Sequence, residues 1–410
     1  MFSGRTTISC SALALTLSIA TIIDARGAQT PSRRPVKQTH AADDRKALSP
    51  FPVRAAWTLA LNNAVVAPPA YDESRGFFPI EDKRLVAYDL HTGTQLWIAS
   101  IAPTSAPAVG DGLVFVPSAD ALVALRATDG SQAWSLPFTE GLSVPLVWDN
   151  EWLIAATSAG DVLAFRARDG ELLWRQHLDA PAGARPALSA DRVYVSTTDS
   201  HVVALGVEDG HPVWRKRLGG QAHEILAFDD RLFVGSADKH FYCLQTDDGE
   251  IAWRWRTGAD TVGAPVANDN TVFFVATDNV LRAVSRRSGV QRWKTGLTLR
   301  PSAGPLLMGP VLVVGGAGIG ETHMLRAFNV SDGKAGGEFD VSAELAAAPH
   351  AMQASAQALS SLIVVTRHIV KGSTIIALSR SFDPAVVALT PLPNPVVLPL
   401  SLDAPAPTPP

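Results

Sequence analysis

Residues 164–174 read Ala-Phe-Arg-Ala-Arg-Asp-Gly-Glu-Leu-Leu-Trp, and residues 204–214 read Ala-Leu-Gly-Val-Glu-Asp-Gly-His-Pro-Val-Trp. Both segments carry a small residue ten places before a tryptophan and an Asp-Gly pair whose glycine stands four places before it. The pattern continues in both directions. Tryptophan recurs at Trp57, Trp97, Trp134, Trp174, Trp214, Trp253 and Trp293, at spacings of 40, 37, 40, 40, 39 and 40 residues. The glycine recurs as Gly93, Gly130, Gly170, Gly210, Gly249 and Gly289, and the small residue as Ala87, Ala124, Ala164, Ala204, Cys243 and Ala283. A period near 40 fits a four-stranded propeller blade or a helical repeat of that length. Short runs rich in Val, Leu and Phe, such as 113–116, 192–195 and 231–234, lie between the turns. No long stretch has a 3.6-residue period, so the repeat predicts strands.

The glycine supplies the positive φ that a tight hairpin demands. The small residue leaves a slot over which a tryptophan from the neighbouring blade is expected to stack, burying about 200 Å² of ring. A seventh copy is degraded: Ala327 and Gly333 remain, but Gly337 holds the tryptophan place. Residues 362–366 and 374–379 predict two more strands, with Ala377 in the small slot. No tryptophan strand follows them, and Trp57 has no blade before it. Residues 56–61 are therefore expected to supply the outer strand of the last blade. The predicted fold is all-β, an eight-bladed β-propeller closed by its N-terminal strand, which leaves no open edge between the first blade and the last. Trp148 and Trp152 fall off the ladder and are expected to matter less to stability.

The ends read differently. Residues 1–27 look like a secretory signal peptide, with Arg5 ahead of an apolar run over 8–23 and small residues at Ala25, Gly27 and Ala28. The alternative is an uncleaved anchor. Residues 28–50 are polar and basic and read as a flexible linker. Residues 384–410 contain nine prolines and read as an extended, disordered tail. The propeller is assigned to 51–383. Export to the periplasm or another extracytoplasmic space is expected. Cys10 begins the apolar run instead of following it, so lipidation is not expected, and Cys243 would be the one cysteine of the mature chain. Charged residues make up 18% of the sequence, the net charge is −4, and no basic stripe is visible, so nucleic acid is not an expected partner.

Over roughly residues 51–383 the chain resembles the quinoprotein-type propeller repeat with its tryptophan-docking motif. One family with this repeat is the pyrroloquinoline-quinone alcohol dehydrogenases. Resemblance to them implies a quinone, a disulfide of adjacent cysteines, a calcium site and long insertions. This chain has no cysteine pair and its blades are near minimal length, so no cofactor, no metal and no catalytic residue is expected. The other family is the BamB-like propeller component of the bacterial outer-membrane β-barrel assembly machinery, a periplasmic eight-bladed propeller of about this length without catalysis. That resemblance implies a scaffold for other proteins, among them outer-membrane assembly components. It implies a monomer that meets the membrane only through its partners or an uncleaved signal. The family's lipoprotein signal and partner-contacting loops are not matched here.

Two alternatives remain: a quinone-dependent oxidoreductase, or an extracytoplasmic ligand-sensing domain. For the latter the candidate face belongs to blades four and five. Arg185 and His223-Glu224 lie in the loops leading into the innermost strands, and His201 and His240 in the loops between second and third strands. All five are expected on one face, either as a polar patch for a ligand or partner or as a solvated surface with an incidental Arg–Glu pair. The run from Gly315 to Gly320 looks like a phosphate loop, but it opens no helix and reads as a hairpin insertion in blade seven.

Overall fold

In the repeat over 187–217, strands Ala187–Leu188, Arg192–Ser196, His201–Gly206 and Pro212–Arg217 pair antiparallel in sequence order. A computed structural model of the chain describes residues 51–189, 191–318, 320, 322–341, 343–352, 361–368 and 372–380, which fall in one compact unit. The signal, linker and tail assigned from the sequence lie outside these residues. Eight antiparallel sheets follow one another among the described residues and form the eight blades of a propeller; six have four strands, and the seventh and eighth have five because their innermost strand is split in two. They span 70–100, 108–137, 147–177, 187–217, 222–256, 266–296 and 300–341, and the eighth combines 344–380 with the N-terminal strand. In that last blade Val53–Leu61 pairs with Gly372–Arg380, from Val53 opposite Arg380 to Leu61 opposite Ser373. Leu59 and Leu61 then pack with Phe78, Val86 and Tyr88 of the first blade, which closes the ring.

The cross-strand register explains the repeat. In blade four, Ala187, Tyr194, Ala204 and Trp214 stand in one row across the four strands. Ala204 is too small to separate its neighbours, so the rings of Tyr194 and Trp214 meet over it at 5.9 Å between centroids. Phe77 and Trp97 meet in the same way at 5.7 Å, Phe115 and Trp134 at 5.9 Å, Phe233 and Trp253 at 6.0 Å, and Phe273 and Trp293 at 5.8 Å. Such tilted pairs add about 0.5–1.5 kcal/mol beyond area burial. This corrects the expectation that the slot serves a tryptophan from the next blade: the small residue serves its own.

The neighbouring blade receives the indole on its glycine. Trp174 donates its Nε1–H to the Val207 carbonyl at 2.7 Å. Its ring lies so close to Gly210 (φ +70°) that a Cβ there would come within 2.4 Å of the ring. The same pair of contacts recurs from Trp57 on Leu90 and Gly93 to Trp293 on Val330 and Gly333. At the junction of blades seven and eight, where Gly337 replaces tryptophan, a different ring is used. Phe51 lies over Gly337 and packs with Met308, Val313, Leu325, Leu362 and Ile376. Trp148 does not stand apart as its sequence position suggests. Its ring presses on Gly110 of the neighbouring blade, with the indole N–H buried and unpartnered.

Candidate functional site

Each loop that leads into an innermost strand turns against the loop joining the second and third strands of its own blade. In blade four, Gly183 N–H donates to Ser196 O at 2.8 Å and Thr198 N–H to Pro181 O at 3.0 Å. In blade five, Ala237 N–H donates to Gln221 O at 2.9 Å and Ser236 Oγ to Gly220 O at 3.0 Å. These contacts place Arg185 and His201 at one end of blade four, and His223, Glu224 and His240 at the same end of blade five. No hydrogen bond or ion pair joins any two of the five, so the incidental Arg–Glu pair does not form.

The loop placements expected for the histidines and Glu224 need correction: His223 and Glu224 lie on the strand Ala222–Phe228, at a break in its pairing between Ala222 and Ile225, because that strand pairs further out than its counterpart in blade four. His201 and His240 open the strands His201–Gly206 and His240–Gln245, and each is held by the aspartate two residues earlier, in the preceding turn. His201 Nδ1 lies 3.0 Å from Asp199 Oδ2 and 3.2 Å from Arg215 Nη2, and Arg215 reaches Asp199 at 2.7 Å. Burial opposes charge on Asp199, but hydrogen bonds from Thr197 and His201 and the Arg215 guanidinium outweigh it and hold the carboxyl below its ordinary value. His240 Nδ1 is 3.1 Å from the Asp238 carbonyl and 3.5 Å from its carboxylate, with its ring tilted against Tyr242. The Asp-x-His spacing is visible in the sequence and is the signal that would have tied both histidines to the turn before them. Beside the His201 loop, a groove of ≈160 Å³ runs between blades three and four, lined by His177, Leu178, Asp179, Thr197, Val203 and Arg215.

Arg185 and Glu224 behave differently. Arg185 is open to solvent yet closely surrounded by protein, and that desolvation lowers its pKa. Neither side chain has a hydrogen-bond or ion-pair partner among the described residues. Both stand two residues before the inner-strand member of the row that ends at the ladder tryptophan, Ala187 opposite Tyr194 and Leu226 opposite Phe233. At that place the other six blades carry Pro68, Ala106, Pro145, Ala264, Gly304 and Ala348. Two unpaired opposite charges on adjacent blades therefore interrupt a row of small or proline residues. His223 Nε2, on the residue before Glu224, is buried without a hydrogen-bond partner.

Cys243 occupies the small slot of blade five as a free, buried thiol, and desolvation pushes its pKa up to about 12. Among the described residues no three His, Cys, Asp or Glu side chains come together as metal ligands. The glycine-rich run ends a strand at Ala317 and leads across to His323, as a hairpin would.

No curated protein matches this sequence. Among solved structures, the chain is similar to BamB from Moraxella catarrhalis, with a TM-score of 0.62 and 16% identity over 80% of this chain and 99% of that one. It is similar to the computationally designed Ika8 protein, with a TM-score of 0.66 and 15% identity over 79% of this chain and 99% of that one. It is also similar to quinohemoprotein alcohol dehydrogenase ADHIIG from Pseudomonas putida HK5, with a TM-score of 0.60 and 13% identity over 83% of this chain and 78% of that one. At these identities the likeness concerns the fold alone. The sequence itself is matched over 46–143, 119–227 and 218–380 by the family model described as outer membrane protein assembly factor BamB. Those segments run through all eight blades, and the chain belongs to that family.

Proposed function

We propose that this protein is a non-catalytic, extracytoplasmic scaffold that binds other proteins during outer-membrane protein assembly. The observation that carries this reading is the family match from residue 46 to residue 380. The fold alone would serve a quinone dehydrogenase equally well, because function resides in sites grafted on folds. Two features of the chain favour the scaffold over that second reading. A calcium ion takes six to eight oxygen ligands, whereas Glu224 is the one acidic side chain among the inner positions that Arg185 and Glu224 share with the other blades. Cys243, the one described cysteine, is enclosed between blades. A scaffold needs a rigid frame with unsatisfied groups at its surface. The frame is the closed set of blades, and the unsatisfied groups are the charges of Arg185 and Glu224. We assign the partner to the face bearing Arg185, His201, His223, Glu224 and His240, with His201 and His240 shaping loops and the two free charges receiving the partner.

The test is affinity capture of the mature protein from membrane extracts, with quinone and calcium added in parallel to a thermal-shift assay. Recovery of β-barrel assembly components, reduced by an R185E/E224R exchange, is the expected outcome. A quinone-dependent rise in melting temperature, which tight binding produces by mass action, together with dye-linked alcohol oxidation, would refute the reading.

A further inference from the structure

The outermost strand of every blade is hydrogen-bonded on one side only, and its side chains repeat from blade to blade. Counting from the ladder tryptophan, the first and third following residues are Arg175 and His177 in blade three, Arg215 and Arg217 in blade four, and Arg254 and Arg256 in blade five. Blade six has Lys294 at the first of these places. Blade seven switches sign, with Glu338 and Asp340, and blades eight, one and two carry no charge at either place. Four consecutive blades thus bring cations to one arc of the rim. The sequence shows no basic stripe because the charges lie about 40 residues apart in the chain and meet only through the repeat.

Local partners already engage part of this arc. Arg175 pairs with Glu140 and Asp161, and Arg215 with Asp179 and Asp199. Arg217 and Lys294 have no such partner among the described residues, but only in blade five are both places filled by unpartnered arginines. On the strand Ile251–Arg256, Arg254 and Arg256 are both exposed, and neither has an acidic or hydrogen-bonding partner among the described residues. The two alternate with Trp253 and Trp255, and on the inner side they stand opposite Tyr242 and His240. Ile251, at the start of the same edge, is 37% exposed.

We propose that this edge docks an extended acidic polypeptide, which adds to blade five as a fifth strand. The proposal rests on the scaffold reading only in taking the partner to be a protein. Residues two apart on a strand are separated by about 7 Å, so carboxylates on alternate residues of an added strand fall opposite Arg254 and Arg256. Opposite charges facing across strands attract, and like charges repel. The free backbone groups of the edge supply the hydrogen bonds of strand addition. Cations on an open edge also deter neutral and basic strands, which makes the edge selective by exclusion as well as by attraction. An anionic lipid surface fits less well. The loops at the same end of these blades carry Asp179, Asp199, Asp238, Asp260 and Asp278, which a flat anionic surface would meet together with the arginines.

The probe is a fluorescein-labelled eight-residue peptide with glutamate at alternate positions and Thr or Val between, titrated with the full chain and followed by anisotropy. Saturable binding is expected, weakened about tenfold or more by R254E/R256E, a change of about 1.4 kcal/mol or more. Binding should be lost when alternate peptide amides are N-methylated. Because both arginines are exposed and unpaired, the variant should keep the wild-type melting temperature, and R254A/R256A provides a second, milder loss of charge. Three outcomes would overturn the proposal: no binding, equal binding of the methylated peptide, or arginine-dependent binding of phosphatidylglycerol vesicles in place of the peptide. Capture of assembly components tests the scaffold reading separately, since it depends on Arg185 and Glu224 and not on this edge.

Discussion

Most ladder tryptophans join three elements. Such a residue meets an aromatic ring of its own blade over a small residue, donates its indole N–H to a carbonyl of the next blade, and lies on that blade's turn glycine. Trp174, 7% exposed, does all but the first, since Ile154 takes the aromatic place in its row. Trp174→Ala should cost about 3–5 kcal/mol in a urea titration, the range for removing a large buried aromatic. Trp152→Ala should cost less, and Trp148→Ala should fall between them because its ring presses on Gly110. Gly210→Ala attacks the same joint from the other side. At φ +70° a Cβ is strained by about 1–2 kcal/mol, and it would also have to displace the Trp174 ring. A neutral result for Gly210→Ala would remove the ring-on-glycine account. At this scale the sequence showed which residues matter, because Trp, Gly and Ala recur in phase. It did not show which partner each one meets, because that depends on register and on the twist between blades.

The eighth blade is an element assembled from both ends of the chain, and its junction with blade seven lacks a tryptophan. Phe51, 4% exposed, supplies the missing ring. Phe51→Ala should therefore cost about 3–5 kcal/mol, as much as a ladder tryptophan, although nothing in the repeat pattern marks the residue. Comparing its urea midpoint with that of Trp174→Ala checks this. The orphaned Trp57 made the closing strand legible, whereas Phe51 was hidden because it precedes the repeat. The candidate site was legible to a similar degree. Loop position placed Arg185, His201, His223, Glu224 and His240 at one end of two blades, but sequence could not tell that His201 and His240 are tied to Asp199 and Asp238 while Arg185 and Glu224 stay free. Side-chain pairing inside a loop depends on geometry that residue spacing does not encode.

At the scale of the whole molecule, the junction of last and first blades also carries a titratable pair. The imidazole of His350 stacks on the ring of Tyr71 at 4.1 Å between centroids and 9° between planes. Burial pushes the His350 pKa down from 6.5 to about 4, with no charged neighbour contributing, and burial likewise holds the Tyr71 hydroxyl neutral. The unfolded chain binds a proton at this histidine below about pH 6.5, while the folded protein resists it until about pH 4. The stability tied to the neutral ring is thus complete above pH 6.5 and declines as pH falls through that window. The loss is at most about 3 kcal/mol. His350→Phe keeps a stacked ring and should flatten the pH dependence of the urea midpoint between about pH 7 and pH 4, relative to the unaltered chain. An unchanged slope would show that other groups control it.

The pairing of Val53 with Arg380 has a mechanical consequence. The two strands that close the propeller run antiparallel, so the outward-leading ends of both lie at the same end of their shared ladder. A pull applied between residues 53 and 380 would not load all the rungs together in shear. It would peel them one after another, from Val53–Arg380 toward Leu61–Ser373, as a zipper opens. In a single-molecule stretching experiment gripped at those two points, the first yield should come at low force and release the N-terminal strand with the other seven blades intact. Gripped instead across a blade interior, the same molecule should resist far more.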